Sequence, residues 1–172
     1  MERFPASWDK SVRTITVSVW VLLVAVNLLV AYAAFSEPSL QDWERLVLVS
    51  IPLIISVGVL GGAYLFAPRG FSLTGEGVRV ERLVGSFTIP YLEIAEAKLL
   101  EELTWKGLRL FGVGGFYGFY GLYYSSGIGK FWAYTGRRSK LILLELKDGR
   151  KLVLGPEPPE AFLEALKRRV SL

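Results

Sequence analysis

The chain contains no cysteine and no histidine, and asparagine, glutamine and methionine each occur once among its 172 residues. Without cysteine there is no disulfide, no thiolate nucleophile and no cysteine-ligated zinc or iron–sulfur cluster. Without histidine the chain lacks the commonest general base and metal ligand. Because asparagine, glutamine, cysteine and methionine are thermolabile residues, their scarcity predicts a protein from a thermophile.

Charge is absent from two long segments, residues 14–35 and residues 46–67. Each would form a helix about 33 Å long at about 1.5 Å per residue, which matches a hydrocarbon core of roughly 30 Å. The ten-residue connection between them, residues 36–45, joins them as an antiparallel hairpin. The sequence therefore predicts an N-terminal region, residues 1–67, that contains a tail and two transmembrane helices.

Small and polar residues inside these runs predict how the helices pack. Gly58 and Gly62 form a GxxxG pattern, which lets helix backbones approach closely in lipid. This face could pack on the first helix or on another copy of the chain. Asn27 is predicted to form a hydrogen bond between helices rather than to bind a substrate.

Lysine and arginine residues flank the apolar runs unevenly. They precede the first run and follow the second, whereas the connection carries Arg45 beside Glu37, Asp42 and Glu44. The positive-inside rule then places both termini in the cytoplasm and the connection outside, in a protein integral to the cell membrane. A signal peptide cleaved near Ala31-Tyr32-Ala33 is the alternative, although the apolar run is longer than a usual signal sequence.

The remaining segment, residues 68–172, reads mostly as β-strands. Residues 71–74 and 78–83 alternate around Gly75-Glu76-Gly77 and predict one hairpin. Residues 141–146 and 151–154 flank Asp148-Gly149, which supplies the positive φ of a tight turn and predicts a second hairpin.

A helix follows these strands near the C-terminus. It is predicted to run from about Pro159 to Val170, with Phe162 and Leu166 on its buried apolar face. Acidic residues come early in this helix and basic residues late, as the helix dipole favours. The whole chain is therefore predicted to be an α+β membrane protein whose small antiparallel β-barrel or sandwich is capped by this amphipathic helix.

Several features of residues 68–172 carry a resemblance to a known family. They are the first hairpin after the second apolar run, Ile89-Pro90, Phe111-Gly112-Val113-Gly114-Gly115, Tyr134-Thr135, the Asp148-Gly149 hairpin and the helix beginning after Pro156. With them the segment resembles the bacterial pleckstrin-homology-like (PH-like) domains of the membrane-anchored type. The resemblance implies two roughly orthogonal antiparallel sheets closed at one corner by a C-terminal helix, and it implies no reaction.

The most unusual segment, residues 111–134, combines aromatic residues with glycine at every third position from Gly112 to Gly121. Its glycine spacing fits neither a dinucleotide-binding nor a P-loop pattern. Two interpretations remain: the aromatic residues fill the domain core, or they form a surface for lipid or protein together with the basic residues that follow. The candidate interaction surface comprises Phe116, Tyr117, Phe119, Tyr120, Lys130, Arg137, Arg138 and Lys140.

No arrangement of residues in the sequence indicates catalysis. The acidic residues Glu93, Glu96, Glu101 and Glu102 make no strong metal site without histidine or clustered aspartate. We therefore expect no catalytic, cofactor or metal site, and no nucleic-acid binding. The leading hypothesis is a non-enzymatic PH-like module that binds a protein partner, or assembles a complex, at the cytoplasmic leaflet. The alternative is a lipid-binding or lipid-sensing module.

Overall fold

The computed structural model describes residues 1–102 and 108–170. The elements in chain order are β1 (Glu2–Pro5), α1 (Lys10–Ser36), α2 (Asp42–Phe66), β2 (Gly70–Leu73), β3 (Gly77–Glu81), β4 (Phe87–Pro90), a 3-10 turn (Tyr91–Glu93), β5 (Ile94–Glu102), β6 (Arg109–Gly114), β7 (Phe119–Ser125), β8 (Gly129–Thr135), β9 (Ser139–Leu146), β10 (Lys151–Leu154) and α3 (Pro159–Val170).

Helices α1 and α2 form an antiparallel pair that contains the two uncharged runs, and both are long and apolar enough to cross a membrane. The carboxylate of Asp9 caps α1 by accepting a hydrogen bond from the amide of Val12 at 2.8 Å. This satisfies one of the amides that a helix N-terminus leaves without a partner. Between the helices, Asn27 Nδ2 donates to Ser56 Oγ at 2.8 Å.

The first sheet has four antiparallel strands in the order β1-β2-β3-β4. Its central strands form the hairpin predicted from the alternating pattern, with Phe71 opposite Val80 and Leu73 opposite Val78. The N-terminal tail forms β1, in which Phe4 lies opposite Phe71. The N-terminal tail therefore lies with the β domain, at the same end of the helix pair.

The second sheet has six strands in the order β5-β9-β10-β8-β7-β6. The predicted hairpin around Asp148-Gly149 joins β9 and β10, and Gly149 has the expected positive φ of 85°. Strand β10 lies between β8 and β9. It pairs with β9 in the antiparallel direction and with β8 in the parallel direction. The prediction of an all-antiparallel domain missed this parallel pair.

Helix α3 has the predicted bounds, and it packs on β5 and β9. Phe162 and Leu166 are fully buried, as predicted. The ring of Phe162 meets Phe4 edge-on at 5.1 Å and Phe71 at 6.3 Å between centroids. We call the cluster of buried residues from both sheets and α3 the α3-capped core.

The predicted barrel is wrong, because the two sheets do not close. Among the described strands none pairs with a strand of the other sheet. The first sheet ends at Pro90, which has no amide hydrogen to donate to a further ladder, and the 3-10 turn follows at once. The far end of the second sheet, β6 and β7, is instead packed on the helix pair.

Candidate functional site

The hairpin of β6 and β7 attaches the β domain to the helix pair. We call residues 109–125 the docking hairpin. Its turn, residues 115–118, lies against α1, and three of its aromatic side chains, Phe116, Tyr117 and Tyr120, are buried beside the end of α2. Five buried residues form what we call the helix-docked cluster: Ala63, Ala67, Phe116, Tyr117 and Tyr120.

Three hydrogen bonds hold the docking hairpin on the helices. The amide of Tyr117 donates to Thr16 Oγ1 at 3.0 Å, and Trp20 Nε1 donates to the phenol oxygen of Tyr117 at 2.8 Å. The phenol of Tyr120 donates to the carbonyl of Ala63 at 2.7 Å. These buried polar groups therefore find their partners across the contact between helix and strand, as burial requires.

The glycines of the docking hairpin permit this close approach. Gly115 has a φ of +93°, and a Cβ there would lie only 2.5 Å from Ile15 Cδ1. Gly112 and Gly121 lie opposite each other, and a Cβ on either would overlap the backbone of the other strand. The regular glycine spacing of the sequence thus reflects backbone packing, for which only glycine lacks the obstructing atom.

Two tyrosines of the docking hairpin, Tyr120 and Tyr123, serve as neutral hydrogen-bond donors to carbonyl groups. Burial, with the neighbouring tyrosines, raises the pKa of Tyr120 far above its usual value of 10. Burial likewise raises the pKa of Tyr123 to about 12, against a smaller opposing effect of Arg109. The phenols of Tyr120 and Tyr123 are therefore un-ionised near neutral pH and available to donate hydrogen bonds that position the hairpin.

Arg137, one of the predicted surface residues, is only 9% exposed. Its guanidinium forms an ion pair with Glu157 at 3.1 Å and donates to the carbonyl of Pro156. Arg137 therefore joins the turn after β8 to the segment that leads into α3.

The other predicted basic residues are exposed but do not form one cluster. The Arg138 guanidinium lies 5.0 Å from the centroid of buried Phe119, and its amide donates to Asp9 at the start of α1. Lys140 follows two residues later, also exposed. Lys130 lies at the opposite end of β8, beside Tyr124. The structure therefore places Arg138 beside the start of the helix pair and Lys130 at the other end of β8.

A groove lies between α2 and the second sheet. Its volume is about 560 Å³, and its lining is almost entirely apolar. Gly58 and Gly62 line it on the helix side, and a Cβ at either position would meet no atom within 4 Å. The GxxxG face of α2 therefore borders open space at this groove, while Ser56 accepts the hydrogen bond from α1. On the sheet side the lining includes Phe111, Trp132 and Tyr134.

The two outer strands of the six-stranded sheet differ in chemistry. Strand β6 exposes Leu108 just before it and Leu110 and Phe111 within it, at 71%, 47% and 72%. Strand β5 instead exposes Glu96 and Lys98, which form an ion pair at 3.1 Å. Charged side chains at a sheet edge oppose pairing with another chain. Among the described residues, β6 carries one charged side chain, Arg109 at its start, and its exposed part is otherwise apolar.

The described residues contain no group of three or more histidine, cysteine, aspartate or glutamate side chains that could hold a metal ion. Of the acidic residues considered from the sequence, Glu93 forms an ion pair with Arg150 and Glu96 with Lys98. Glu101 is exposed, and the side chain of Glu102 lies outside the described residues.

Sequence reasoning identified the unusual segment but missed its contacts. The apolar run and the aromatic segment gave no sign that Thr16 and Trp20 bond to Tyr117, since the partners lie about a hundred residues apart. Arg82, directly after the alternating strand β3, also lines the groove beside α2, a contact that the sequence pattern did not predict.

Comparison with known families agrees with this architecture. Residues 69–170 match the family described as bacterial PH domain, a match that covers more than half of the chain. It includes the whole segment from β2 to α3. Searches of curated proteins and of solved structures found no significant match. The resemblance seen in the sequence is confirmed, and the chain belongs to the bacterial PH domain family.

Proposed function

We propose that this protein is a membrane-anchored, non-catalytic PH-like interaction module that binds a protein partner or assembles a membrane complex at the cytoplasmic leaflet. Residues 1–67 supply two membrane spans, and the PH-like domain occupies residues 68–172, with β1 added to its first sheet. The length of both helices and the basic flanks support this placement. The docked hairpin supports it too, because it holds the β domain against the helix pair.

The apolar outer edge of β6 is the observation that carries the protein-binding proposal. Among the described strands β6 pairs only with β7, so no described strand lies along its other side, and Leu110 is exposed on β6. An extended segment of a partner can add to such an edge as a further strand. We propose that the partner covers β6 in this way.

Site-specific photo-crosslinking in native membranes tests this proposal. A benzophenone amino acid at position 110 on β6 is compared with the same group at position 98 on the charged β5 edge. We expect a discrete protein adduct from position 110 alone. We also expect Leu110→Lys to reduce the size of the native complex, because a lysine on the edge opposes strand pairing. Adducts with lipid alone, equal adducts from both edges, or an unchanged complex would contradict the proposal.

Lipid binding is the second candidate function, and the exposed residues at the end of the domain near the helices favour it. Leu83 and Val84 are exposed there, and the amide of Val84 donates to the carbonyl of Leu65 at the end of α2. Arg138 lies near the start of α1, where its amide donates to Asp9. A basic residue near an anionic leaflet is worth about 1 kcal/mol. Binding of the full chain to anionic lipid, weakened by Arg138→Gln, is the expected result.

A further inference from the structure

The groove between α2 and the second sheet follows the axis of the helix. Its helix wall is built by Gly58, Gly62 and Phe66, which lie four residues apart on one face. These positions span about 12 Å at about 1.5 Å per residue. With α2 in the bilayer, as proposed above, the Gly58 end points into the hydrocarbon and the Phe66 end lies at the membrane surface.

Arg82 lines the groove at the membrane-surface end. The chain reaches this end because Val84, two residues further on, is hydrogen-bonded to Leu65 near the end of α2. The guanidinium lies over the rings of Phe87 and Tyr134, at 5.1 and 5.6 Å from their centroids. The positive charge is therefore fixed beside an apolar channel.

The charge of Arg82 has no acidic partner among the described residues. The neighbouring Glu81 is already engaged with Arg3 at 2.7 Å and with the hydroxyl of Ser72. Arg82 donates to the carbonyl of Gly85, but its Nε is buried and has no hydrogen-bond acceptor in the described structure. The side chain is only half-buried, so an anion that enters this end of the groove can reach the guanidinium.

We propose that the groove binds one anionic glycerophospholipid of the surrounding leaflet, with an acyl chain along Gly58 and Gly62 and its phosphate at Arg82. The volume of about 560 Å³ lies within the range of roughly 300 to 1,000 Å³ of small-molecule sites. The order of the lining matches a lipid: apolar along the span and cationic at the surface. This proposal rests on the second candidate function, lipid binding, and names its ligand. It does not depend on a protein partner at β6.

A second copy of α2 is the competing occupant, since the groove carries a GxxxG stripe. Residues 46–67 of that copy contain no acidic side chain, so its apolar helix would bring no anion to Arg82. A phospholipid supplies both an acyl chain for the groove and an anionic phosphate for Arg82. The charge at the end of the groove therefore favours the lipid.

Lipid retention by the full-length protein in detergent tests the site. Native mass spectrometry measures binding of phosphatidylglycerol, which is anionic, and of phosphatidylcholine with the same acyl chains, which is zwitterionic. We expect a preference for phosphatidylglycerol of about five-fold, the equivalent of about one surface charge. Arg82→Gln should remove this preference, and Arg82→Lys should keep most of it.

Gly62→Leu tests the acyl channel, because its side chain would enter the open space. We expect it to reduce the retention of both lipids at least five-fold. Gly61→Leu is the matched control. A Cβ added at position 61 would also meet no atom within 4 Å, but this position faces Trp20 and Tyr117 outside the groove. Arg79→Gln controls for Arg82→Gln, because Arg79 is an exposed arginine on β3, the strand that Arg82 directly follows. Both controls should bind lipid like the unmodified chain.

Three outcomes would overturn the proposal. The first is equal retention of the two lipids by the unmodified chain. The second is an Arg82→Gln protein that keeps the preference. The third is a Gly62→Leu protein that retains lipid normally but is monomeric where the unmodified chain is a dimer. That result would assign the groove to a second copy. The crosslinking result at β6 is measured separately, so failure of the lipid site leaves the protein-binding proposal intact.

Discussion

The α3-capped core and the helix-docked cluster differ in composition and in the parts of the chain that build them. The core combines side chains from both sheets and α3, and fully buried aliphatic and phenylalanine residues dominate it. The helix-docked cluster is rich in aromatic residues, shares residues with α2 and depends on hydrogen bonds to both helices. The comparison indicates that the core stabilises the β domain itself, whereas the cluster fixes that domain to its anchor.

The largest expected effect is a loss of stability when the α3-capped core is disrupted. Phe162→Ala removes a fully buried ring that touches Phe4 and Phe71. We expect it to lower the free energy of unfolding of the β domain by about 3–5 kcal/mol. Chemical denaturation, monitored by hydrogen exchange of the amides in β2 and β9, measures this loss. Glu164→Ala, an exposed change on the same helix, should stay within about 0.5 kcal/mol.

Alkaline pH should loosen the docking hairpin before it affects the α3-capped core. Folding raises the pKa of Tyr123 from 10 to about 12, chiefly through burial. Its contribution to stability is therefore complete below pH 10 and is lost as the pH rises from about 10 to 12, up to about 3 kcal/mol.

Hydrogen exchange of the hairpin between pH 9 and 12 measures this pH effect, with correction for the intrinsic exchange rate. Tyr123→Phe should reduce the pH dependence of hairpin opening, and Tyr120, whose pKa burial also raises, accounts for the remainder. Equal pH dependence in the hairpin and in α3, or no change with Tyr123→Phe, would contradict the assignment.

Tyr120→Phe should weaken the attachment without unfolding the β domain. The substitution removes the donor to the carbonyl of Ala63 but keeps the ring. We expect a cost of about 0.5–1.5 kcal/mol in docking of the hairpin. The emission of Trp20, whose indole bonds to Tyr117 in the same contact, can follow undocking once the other tryptophans are replaced. Tyr124→Phe, which changes an exposed tyrosine on the same strand, is the control.

The smallest expected effect concerns the helix pair alone. Asn27→Leu removes the hydrogen bond to Ser56 Oγ between α1 and α2. Bonds of this kind within membranes average about 0.6 kcal/mol. A helix-association assay on α1 and α2 should show a loss of that size, and hydrogen exchange of the α3-capped core should not change. A loss of several kcal/mol would mean that the helix pair depends on this one bond.

The elements that sequence analysis predicted correctly are those set by neighbouring residues. Helix α3 follows from its spacing of apolar residues and its terminal charges, and the β9–β10 hairpin follows from Asp148-Gly149. The two apolar helices follow from length and hydropathy.

The missed features depend on contacts between distant parts of the chain. Strand β1 has only four residues and becomes a strand by pairing with β2. The packing of Gly115 on Ile15 joins two segments that give no mutual signal in one sequence. The predicted barrel failed for the same reason, because the sequence pattern did not show that β6 and β7 pack on helices rather than closing onto the first sheet.

The central claim is that the helix pair spans the membrane and holds the PH-like domain on its cytoplasmic side. Because the chain has no native cysteine, single cysteines can be placed at exposed Ser39, between the helices, and at exposed Glu164 on α3. Intact cells are then treated with a membrane-impermeant maleimide. We predict that the cysteine at 39 is labelled at once and that the cysteine at 164 is labelled only after lysis. Labelling of position 164 in intact cells, or protection of position 39, would contradict the account.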